Sequence, residues 1–329
     1  MTLPLVVSLG DPAGIGAEVI AKSWERRRSE VLPPFFVVGP IAAVRAVWSG
    51  PVEAIAAPGE AADCFDRALP VLSVGEGGAV TPGAPDLEGA RSALDSLELA
   101  VGLARSGAAS ALVTGPVSKA QLYGIGFTHP GQTEFVAERC GVASSKVAMM
   151  LAGPTLRTVP VTTHVPLAEV AARLSEELIV ARGRATIRGL RRLFGIERPR
   201  LAVAGFNPHA GEGGNLGREE IDLISPAIER LRDEDAEVSG PHAADAMFHE
   251  KSRERFDAAL CMYHDQALIP LKALHFDEGV NITLGLPIVR TSPDHGTAFD
   301  IAGRGRADPA ATIAAIRLAD SCARRTAAA

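Results

Sequence analysis

Three histidines each come directly after an apolar segment that is typical of a buried strand. They are His164 in VTTHVPL, His209 in FNPHAGEGG and His264 in CMYHDQ. A histidine at a strand end can project its ring into a crevice, and three neutral imidazoles with an open position suit a divalent metal such as zinc. The spacings of 45 and 55 residues form no local metal motif. The alternative, in which each histidine caps or fills its own loop, therefore stays open.

A second group of polar residues lies between residues 281 and 309, in NITLGLPIVRTSPDHGTAFDIAGRGRADP. Its first 26 residues include six glycines or prolines, so the backbone must turn repeatedly. The side chains of Asn281, Arg290, Asp294 and His295 are all suited to binding a ligand. A planar guanidinium can hold phosphate or carboxylate with two parallel hydrogen bonds, which makes Arg290 a candidate clamp for an anion. A surface ion pair is the alternative role for this arginine.

Two glycine-rich segments resemble nucleotide-binding loops without matching them. GDPAGIGAEV (10–19) has Val19 where the dinucleotide-binding fingerprint requires its third glycine. GEGGNLGREE (211–220) lacks the Lys-Ser/Thr pair of a phosphate-binding P-loop. Its glycines could still let backbone amides approach an anion at a helix that starts near Gly217. A tight strand-to-helix turn is an equally good interpretation.

Length, composition and charge bound the class of protein. The chain of 329 residues is 47% hydrophobic and 22% charged, which is typical of a globular protein with about two domains. A net charge of -6 argues against a nucleic-acid partner. The chain has no run of 18 apolar residues, so a membrane-spanning helix is not expected. The segment MTLPLVVSLGDPAG lacks the basic region of a signal peptide. The sequence predicts a reduced, cytoplasmic protein, because no CxxC pair occurs among Cys64, Cys140, Cys261 and Cys322.

Short apolar runs alternate with longer amphipathic stretches along the chain. This alternation predicts an α/β fold with a largely parallel sheet and helices on both of its faces. Ligand sites in such sheets collect at the carboxyl ends of the strands, where this sequence carries Asp11, Thr114, His164, His209 and His264. The predicted strands are 3–10, 35–39, 111–116, 157–163, 200–205 and 258–264, and the predicted helices are 16–27, 88–106, 167–194 and 219–234.

Seven motifs in this order make a family resemblance recognisable. They run from residue 10 to about residue 309 and are GDPAGIGAEV, TGPVSK, PGQTEF, TTHVPL, NPHAGEGG, MYHDQ and NITLGLPIVRTSPDHGTAFDIAG. Together they resemble the 4-hydroxythreonine-4-phosphate dehydrogenase family of pyridoxal 5'-phosphate (vitamin B6) biosynthesis. Each motif alone is weak evidence for a family, whereas seven motifs in the same order are highly specific evidence.

The resemblance implies a fold like that of isocitrate and isopropylmalate dehydrogenases, with two α/β/α domains and a cleft between them. These enzymes bind a nicotinamide cofactor without the dinucleotide-binding fingerprint. We expect residues 1–115 and 275–329 to form the cofactor-side domain, and residues 116–274 to form the metal, substrate and dimerisation domain. The resemblance also implies a homodimer with the active site at the subunit interface.

The resemblance assigns residues to the metal and the substrate. It implies that the metal, zinc or alternatively cobalt, nickel, manganese or magnesium, is held by His164, His209 and His264, the last contributed across the dimer. It places substrate contacts at Gln132, Thr133, Lys272, Asn281 and Arg290. The family commonly has histidine before the threonine of PGQTEF, and Gln132 stands there in this chain. A glutamine can donate a hydrogen bond but carries no charge.

The cofactor is expected to bind at HGTAFDIAG (295–303), which resembles the adenosine-binding loop of the isocitrate and isopropylmalate dehydrogenases. The candidate cofactor residues are Asp294, His295, Gly296 and Asp300. A carboxylate at Asp300 can accept hydrogen bonds from the ribose hydroxyls of NAD and would repel the 2'-phosphate of NADP. NAD is therefore the preferred cofactor and NADP the alternative.

The implied reaction is NAD(P)-dependent oxidation of 4-phosphohydroxy-L-threonine to 2-amino-3-oxo-4-phosphooxybutanoate, which loses carbon dioxide to give 3-amino-2-oxopropyl phosphate. Lys272 and Asp245 are the candidate catalytic residues, although Asp245 could equally be a solvated loop carboxylate. One alternative is a related dehydrogenase of another phosphorylated sugar acid or a cyclic diol carboxylate. Alternatives from other classes are a phosphate-acyl-binding transferase that uses TGPVSK as an anion loop, and a non-catalytic binding protein.

Overall fold

The structure is a computed structural model that describes residues 3–74, 80–234 and 236–328. Within these ranges the chain forms twelve β-strands and thirteen α-helices. The strands are β1 (Leu5–Ser8), β2 (Phe35–Val38), β3 (Val52–Ala54), β4 (Leu69–Leu72), β5 (Leu112–Thr114), β6 (Ala148–Ala152), β7 (Arg157–Pro160), β8 (Arg200–Ala204), β9 (Glu237–His242), β10 (Ala258–Cys261), β11 (Val280–Leu284) and β12 (Arg290–Pro293).

The helices alternate with these strands, as the sequence pattern predicts. None of the helices in the described ranges is both long enough and apolar enough to cross a bilayer. The helices are α1 (Gly16–Glu25), α2 (Ile41–Val47), α3 (Ala61–Cys64), α4 (Leu87–Ser106), α5 (Lys119–Gly124), α6 (Gln132–Arg139), α7 (Val170–Arg173), α8 (Glu176–Phe194), α9 (Ser225–Arg232), α10 (Ala244–Met247), α11 (Glu250–Arg253), α12 (His264–His275) and α13 (Ala310–Ala328).

The first of two compact units comprises Met1–Cys140 and Pro287–Arg324. Its six strands lie in the order β3-β4-β2-β1-β5-β12, and every neighbouring pair is parallel. All residues of β1, β2 and β5 are buried. Their sequences are therefore largely apolar and do not alternate between apolar and polar residues. The carboxyl ends of β1, β5 and β12 therefore share one edge of this sheet.

The second unit comprises Gly141–Leu286 and Arg325–Ala329. Its strands lie in the order β11-β6-β7-β10-β8-β9. β6 is antiparallel to both of its neighbours, β11 and β7. The pairs β7–β10, β10–β8 and β8–β9 are parallel. The α/β class and the largely parallel pairing that the sequence predicts are thereby confirmed.

The boundaries of the units differ from the expected domain boundaries at 115/116 and 274/275. Residues 116–140 belong to the first unit, because α5 packs against α4. Residues 275–286 belong to the second unit, because β11 pairs along its whole length with β6. Non-local packing of this kind leaves no mark in the local sequence pattern.

The six predicted strands and the helices from residues 16 and 88 are confirmed. The prediction of a single helix over 167–194 is wrong, because the structure divides this segment into a 3-10 turn, α7 and α8. Ser175 lies in extended backbone and its side chain accepts a hydrogen bond from Leu178 N, so it caps a new helix. The predicted helix over 219–234 begins with a π-helical turn at Glu220–Ile224 before α9.

Candidate functional site

Three neighbouring parallel strands of the second unit carry the three candidate metal-binding histidines. In the order β7-β10-β8, Cys261 pairs with Pro160 and Leu260 with Val203. His164, His264 and His209 lie four, three and five residues beyond the ends of these strands. Because the strands are parallel, all three loops leave the same edge of the sheet. The sheet order thus brings together segments that are up to 100 residues apart.

Two of the three imidazoles lie side by side. The ring centroids of His164 and His264 are 5.7 Å apart. His264 begins α12, and its Nδ1 lies 2.7 Å from Asp265 Oδ1. A carboxylate accepts the proton of Nδ1, so Nε2 of the neutral ring is left as the lone-pair donor to a metal. The backbone of His164 has a φ of +53°, a left-handed conformation that is uncommon for a residue with a side chain.

His209 also has a φ of +53° and lies in the Pro208–Gly214 turn. Across residues 3–74, 80–234 and 236–328, no set of three His, Cys, Asp or Glu side chains is close enough together to hold a metal ion. The donor chemistry of His164, His209 and His264 fits zinc or a similar divalent ion. Of the three, His164 and His264 are shown side by side in the described part of one chain.

The first unit contains a deeply buried cation, Arg290, at the start of β12. Its side chain is only 3% exposed. Nη2 donates a 2.7 Å hydrogen bond to Thr114 Oγ1 at the end of β5, and Nη1 donates a 3.3 Å bond to Thr133 Oγ1 on α6. Burial lowers the pKa of Arg290 to about 10, against the opposing effect of Glu134. The guanidinium therefore keeps its charge at neutral pH, and a surface ion pair is not its role.

Gln132 precedes Thr133 in the chain and is the first residue of α6. Its Nε2 donates a 3.1 Å hydrogen bond to the carbonyl of Gly115, which fixes the orientation of the amide because a carbonyl can only accept. The Oε1 atom is buried and has no hydrogen-bond partner among the residues described. One of the two amide hydrogens on Nε2 is therefore engaged by Gly115. The buried side-chain atom that has no partner, Oε1, is an acceptor.

Lys272 and Asn281 belong to the second unit. Lys272 lies two turns after His264 on α12, and both contribute to one open, concave surface with Leu268 and Ile269. The ammonium of Lys272 is 6.0 Å from the centre of the Phe276 ring. Asn281 is the second residue of β11, and its Oδ1 is a buried acceptor that finds no partner in the described part of the chain. Native proteins leave few such atoms unsatisfied, so this oxygen is a candidate contact for a ligand group.

Asp245 is exposed in the first turn of α10. This helix packs against the Pro208–Gly214 turn, so the carboxylate is carried by an element that contacts the loop of His209. An exposed position leaves Asp245 accessible to solvent and to a substrate, which is compatible with both roles considered from the sequence.

The candidate cofactor residues lie in the loop after β12. His295 Nδ1 is 3.2 Å from the carbonyl oxygen of Gly296, and its buried Nε2 has no partner in the described ranges. Burial lowers the pKa of this imidazole. Ile15 N donates a hydrogen bond to the carbonyl of Thr297, which ties the loop to the GDPAG segment. Asp300 and Gly296 are exposed, and Asp294 is half-buried.

Two contributors to these sites were missed by sequence reasoning. The sequence indicates Thr114 only as a strand-end residue, and its hydrogen bond with Arg290 depends on β5 lying next to β12. Glu220 ends the GEGGNLGREE segment but is not predicted to be buried, although it is 3% exposed and accepts hydrogen bonds from Phe206 N and Asn207 N. A buried glutamate in a charged GREEID string looks like a solvated helix residue, so no sequence signal marked it.

The fold and these sites define an α/β enzyme whose polar side chains follow the carboxyl ends of parallel strands. The chain belongs to the family described as pyridoxal phosphate biosynthetic protein PdxA, whose sequence profile matches residues 35–319. A relative from Erythrobacter litoralis, named 4-hydroxythreonine-4-phosphate dehydrogenase, is 57% identical over 329 residues and is matched over 98% of each chain. Membership of this family favours a dehydrogenase over the acyl transferase and the binding protein.

Solved structures agree with this assignment. A 4-hydroxythreonine-4-phosphate dehydrogenase from Klebsiella pneumoniae superposes with a TM-score of 0.88 at 36% identity, covering 98% of this chain and 100% of that one. A terephthalate 1,2-cis-dihydrodiol dehydrogenase from Burkholderia xenovorans gives a TM-score of 0.68 at 30% identity, over 98% of each chain. One architecture therefore carries at least two named dehydrogenase activities.

Proposed function

We propose that this chain is a nicotinamide-dependent dehydrogenase of 4-phosphohydroxy-L-threonine in vitamin B6 biosynthesis. The reaction oxidises the secondary alcohol to 2-amino-3-oxo-4-phosphooxybutanoate, which decarboxylates to 3-amino-2-oxopropyl phosphate. The observation that carries the proposal is the full-length match to relatives that bear this enzyme's name. The buried polar side chains of both units supply independent chemical support.

Arg290 would bind an anionic end of the substrate. Thr114 and Thr133 fix two of its nitrogens, so the guanidinium is held in place before a ligand arrives. Removing a cation from water costs free energy that a bound phosphate or carboxylate offsets. Lys272 would neutralise a second anionic group, and Asn281 and Thr133 would donate or accept the hydrogen bonds that orient the substrate.

His164, His209 and His264 would hold a divalent metal, with zinc favoured by imidazole donors and cobalt, nickel, manganese or magnesium as alternatives. When bound, such an ion lowers the pKa of a coordinated hydroxyl and polarises a neighbouring carbonyl. Asp265 fixes the His264 ring so that Nε2 faces away from the carboxylate. Asp245 would accept the alcohol proton and pass it to water, since its carboxylate is exposed.

The nicotinamide cofactor would bind at the loop after β12. The neutral His295 ring presents a buried acceptor, Nε2, which suits an amino group such as that of adenine. Exposed Asp300 would bind the ribose hydroxyls of NAD and disfavour the 2'-phosphate of NADP, as like charges about 4 Å apart repel by roughly 1 to 4 kcal/mol. We therefore propose NAD as the preferred cofactor and NADP as the weaker one.

A second copy of the chain would complete the site. Large apolar side chains on and just after α12 are exposed, namely Ile269 at 66%, Leu274 at 43% and Phe276 at 73%. Several large exposed apolar side chains along one helix are a feature of many protein interfaces. The same helix carries His264 and Lys272, so a homodimer formed through it would place candidate site residues at the interface.

The test is to incubate the purified protein with NAD and 4-phosphohydroxy-L-threonine while following the absorbance of the reduced cofactor. We expect turnover that is abolished by a chelator and restored by zinc or cobalt. An Asp245→Asn variant should lower kcat, with KM nearly unchanged. Absence of cofactor reduction in metal-loaded protein would contradict the proposed function.

A second candidate, a dehydrogenase of a cyclic diol carboxylate or another phosphorylated sugar acid, is favoured by one observation. Gln132 presents a buried acceptor at the position where the family commonly has histidine. The 30% identical diol dehydrogenase shows that this architecture accommodates such chemistry. Comparison of kcat/KM for the threonine phosphate with that for a cis-dihydrodiol carboxylate decides between the two, and we expect the threonine phosphate to be preferred by at least tenfold.

A further inference from the structure

His209 lies in a run of left-handed backbone. The φ/ψ values are 53/28° at His209, 51/45° at Ala210, 76/−4° at Gly211, 43/54° at Glu212 and 66/21° at Gly213. Three of these five residues carry side chains, and an L-residue in this region costs free energy because its Cβ crowds the following carbonyl oxygen. Something outside the turn must stabilise it.

The carboxylate of Glu220 lies against the start of this turn. Its Oε1 accepts hydrogen bonds from Phe206 N at 2.8 Å and Asn207 N at 2.7 Å, and its Oε2 accepts one from Asn207 Nδ2 at 3.0 Å. A Cβ added to Gly211 would lie 2.6 Å from Glu220 Oε2. The carboxylate therefore forms hydrogen bonds at the entry of the turn and leaves no room for a side chain at Gly211 in its middle.

The surroundings of Glu220 indicate that its contact with the turn is a functional feature. Glu220 is 3% exposed and opens a π-helical turn, a distortion that is frequent at functional sites. Asn207 Nδ2 also donates to Glu219 Oε2 at 2.7 Å, and this hydrogen bond lowers the pKa of Glu219. Two adjacent carboxylates thus hold Asn207, which stands two residues before His209.

We propose that Glu220 is a positioning residue that fixes the left-handed turn of His209 and so presents its imidazole to a divalent metal. The inference rests on the proposed function, because it takes His209 as a metal ligand. Glu220 does not itself contact metal or substrate. It acts through two backbone amides and the Asn207 side chain, which hold the entry to a strained loop.

The test is the Glu220→Gln variant. The two side chains have nearly the same shape, but an amide in the position of the carboxylate must turn Nε2 either toward Asn207 Nδ2 or toward the two backbone N–H groups, so that donor meets donor. The matched control is Asp222→Asn, which removes an exposed carboxylate that pairs with Arg218 in the same segment.

The first measurement is the affinity of metal-stripped full-length protein for Zn²⁺, by competition with a chromophoric chelator. We expect Glu220→Gln to bind zinc about 10 to 100-fold more weakly, as is typical when the group that orients a metal ligand is lost. Asp222→Asn should stay within about twofold of wild type. Zinc affinity equal to wild type in Glu220→Gln would overturn the inference.

The second measurement is hydrogen exchange at the amides of Phe206 and Asn207, which requires neither metal nor activity. We expect faster exchange in Glu220→Gln and wild-type exchange in Asp222→Asn. Faster exchange with unchanged zinc affinity would show a purely structural clamp and overturn the proposal. If the wild-type protein does not bind zinc, the metal site of the proposed function is rejected, and this inference is rejected together with it.

A milder variant covers the case in which Glu220→Gln does not fold. Asn207→Ala removes the side-chain hydrogen bonds but keeps both backbone bonds to Glu220, so we expect it to fold and to weaken zinc binding by about threefold to tenfold. Wild-type zinc affinity in this variant would contradict the role of the Asn207–Glu220 contact.

Discussion

At the scale of individual residues, three buried polar atoms without a partner in the described chain are candidate ligand contacts. Gln132 Oε1, Asn281 Oδ1 and His295 Nε2 are each buried and without a hydrogen-bond partner in the ranges described. Each belongs to a residue that the sequence predicts to bind substrate or cofactor. When the His295 ring is neutral, all three atoms are acceptors, so they suit ligand groups that donate, such as ammonium, hydroxyl or amino groups.

Arg290→Lys tests the buried cation at the same scale. A lysine keeps the charge but cannot bond Thr114, Thr133 and an anion from one planar fork. We expect kcat/KM for the phosphorylated substrate to fall by about 100-fold, mainly through KM, since a misplaced buried charge pair costs roughly 2–5 kcal/mol. Steady-state kinetics measure this.

Arg317→Lys is the matched control, because Arg317 is an exposed arginine that pairs with Glu30. It should leave kcat/KM at the wild-type value. Equal activity of Arg290→Lys and this control would show that Arg290 is not a ligand-binding residue.

His295 gives a pH-dependent prediction. Burial lowers its pKa in the folded state, so the unfolded state binds the proton first as the pH falls below about 6.5. The stability associated with the neutral ring is complete above that value and is lost as the pH falls toward the folded-state pKa. We expect His295→Asn to lose less unfolding free energy than wild type between pH 7.5 and pH 5.

Urea unfolding at a series of pH values measures the effect of His295. Protonation also removes the Nε2 acceptor, so NAD binding by wild type should weaken over the same range. Identical pH profiles of stability in wild type and His295→Asn would refute the burial argument.

At the scale of elements, the division between α7 and α8 shows how one residue ends a helical pattern. Apolar positions recur through 167–194, yet Ser175 adopts extended backbone and its hydroxyl accepts a 3.2 Å hydrogen bond from Leu178 N. The first N–H groups of a helix have no carbonyl partner within the helix, and the Ser175 side chain supplies an acceptor for one of them. The 19-residue helix that follows packs on strands of the second unit.

Ser175→Ala should lower the free energy of unfolding by about 1 kcal/mol, because the cap hydrogen bond is lost. Ser175→Asp should retain wild-type stability or exceed it, since a carboxylate also caps the helix and interacts favourably with the positive end of its dipole. Denaturant titrations of both variants provide the measurement. If Ser175→Ala were as stable as wild type, the cap would not account for the start of α8.

At the scale of the whole molecule, the proposed metal site requires either one chain or two to supply its three histidines. His164 and His264 of one chain are 5.7 Å apart between ring centroids, and no set of three metal-binding side chains is assembled in the part of the chain that the structure describes. The exposed apolar residues along α12 favour a second copy as the source of the missing contribution.

Mixing inactive His209→Ala and His264→Ala subunits tests this arrangement. If His209 and His264 of one site come from different chains, a mixed dimer regains one intact site out of two. We expect about a quarter of wild-type activity after random exchange, because half of the dimers are then mixed. No recovery, although mass spectrometry shows that subunits have exchanged, would place all three ligands in one chain.

The sequence by itself determined the α/β class, six of the strands and the loops that carry the histidines. Local information is sufficient for these features, because buried parallel strands are short apolar runs that end in turn residues. Strands such as β3, β6 and β12 were not predicted, since VEA, AMMLA and RTSP are short or lack the β-branched apolar run of a buried strand.

Only the tertiary structure decided how these pieces meet. The order β7-β10-β8 places the three histidine loops side by side, and the pairing of β5 with β12 buries Arg290 beside Thr114. Glu220 acquires its role because the chain folds back onto residues 206 and 207. Contacts between residues far apart in sequence depend on packing and strand order, and the composition of a local segment does not encode either of them.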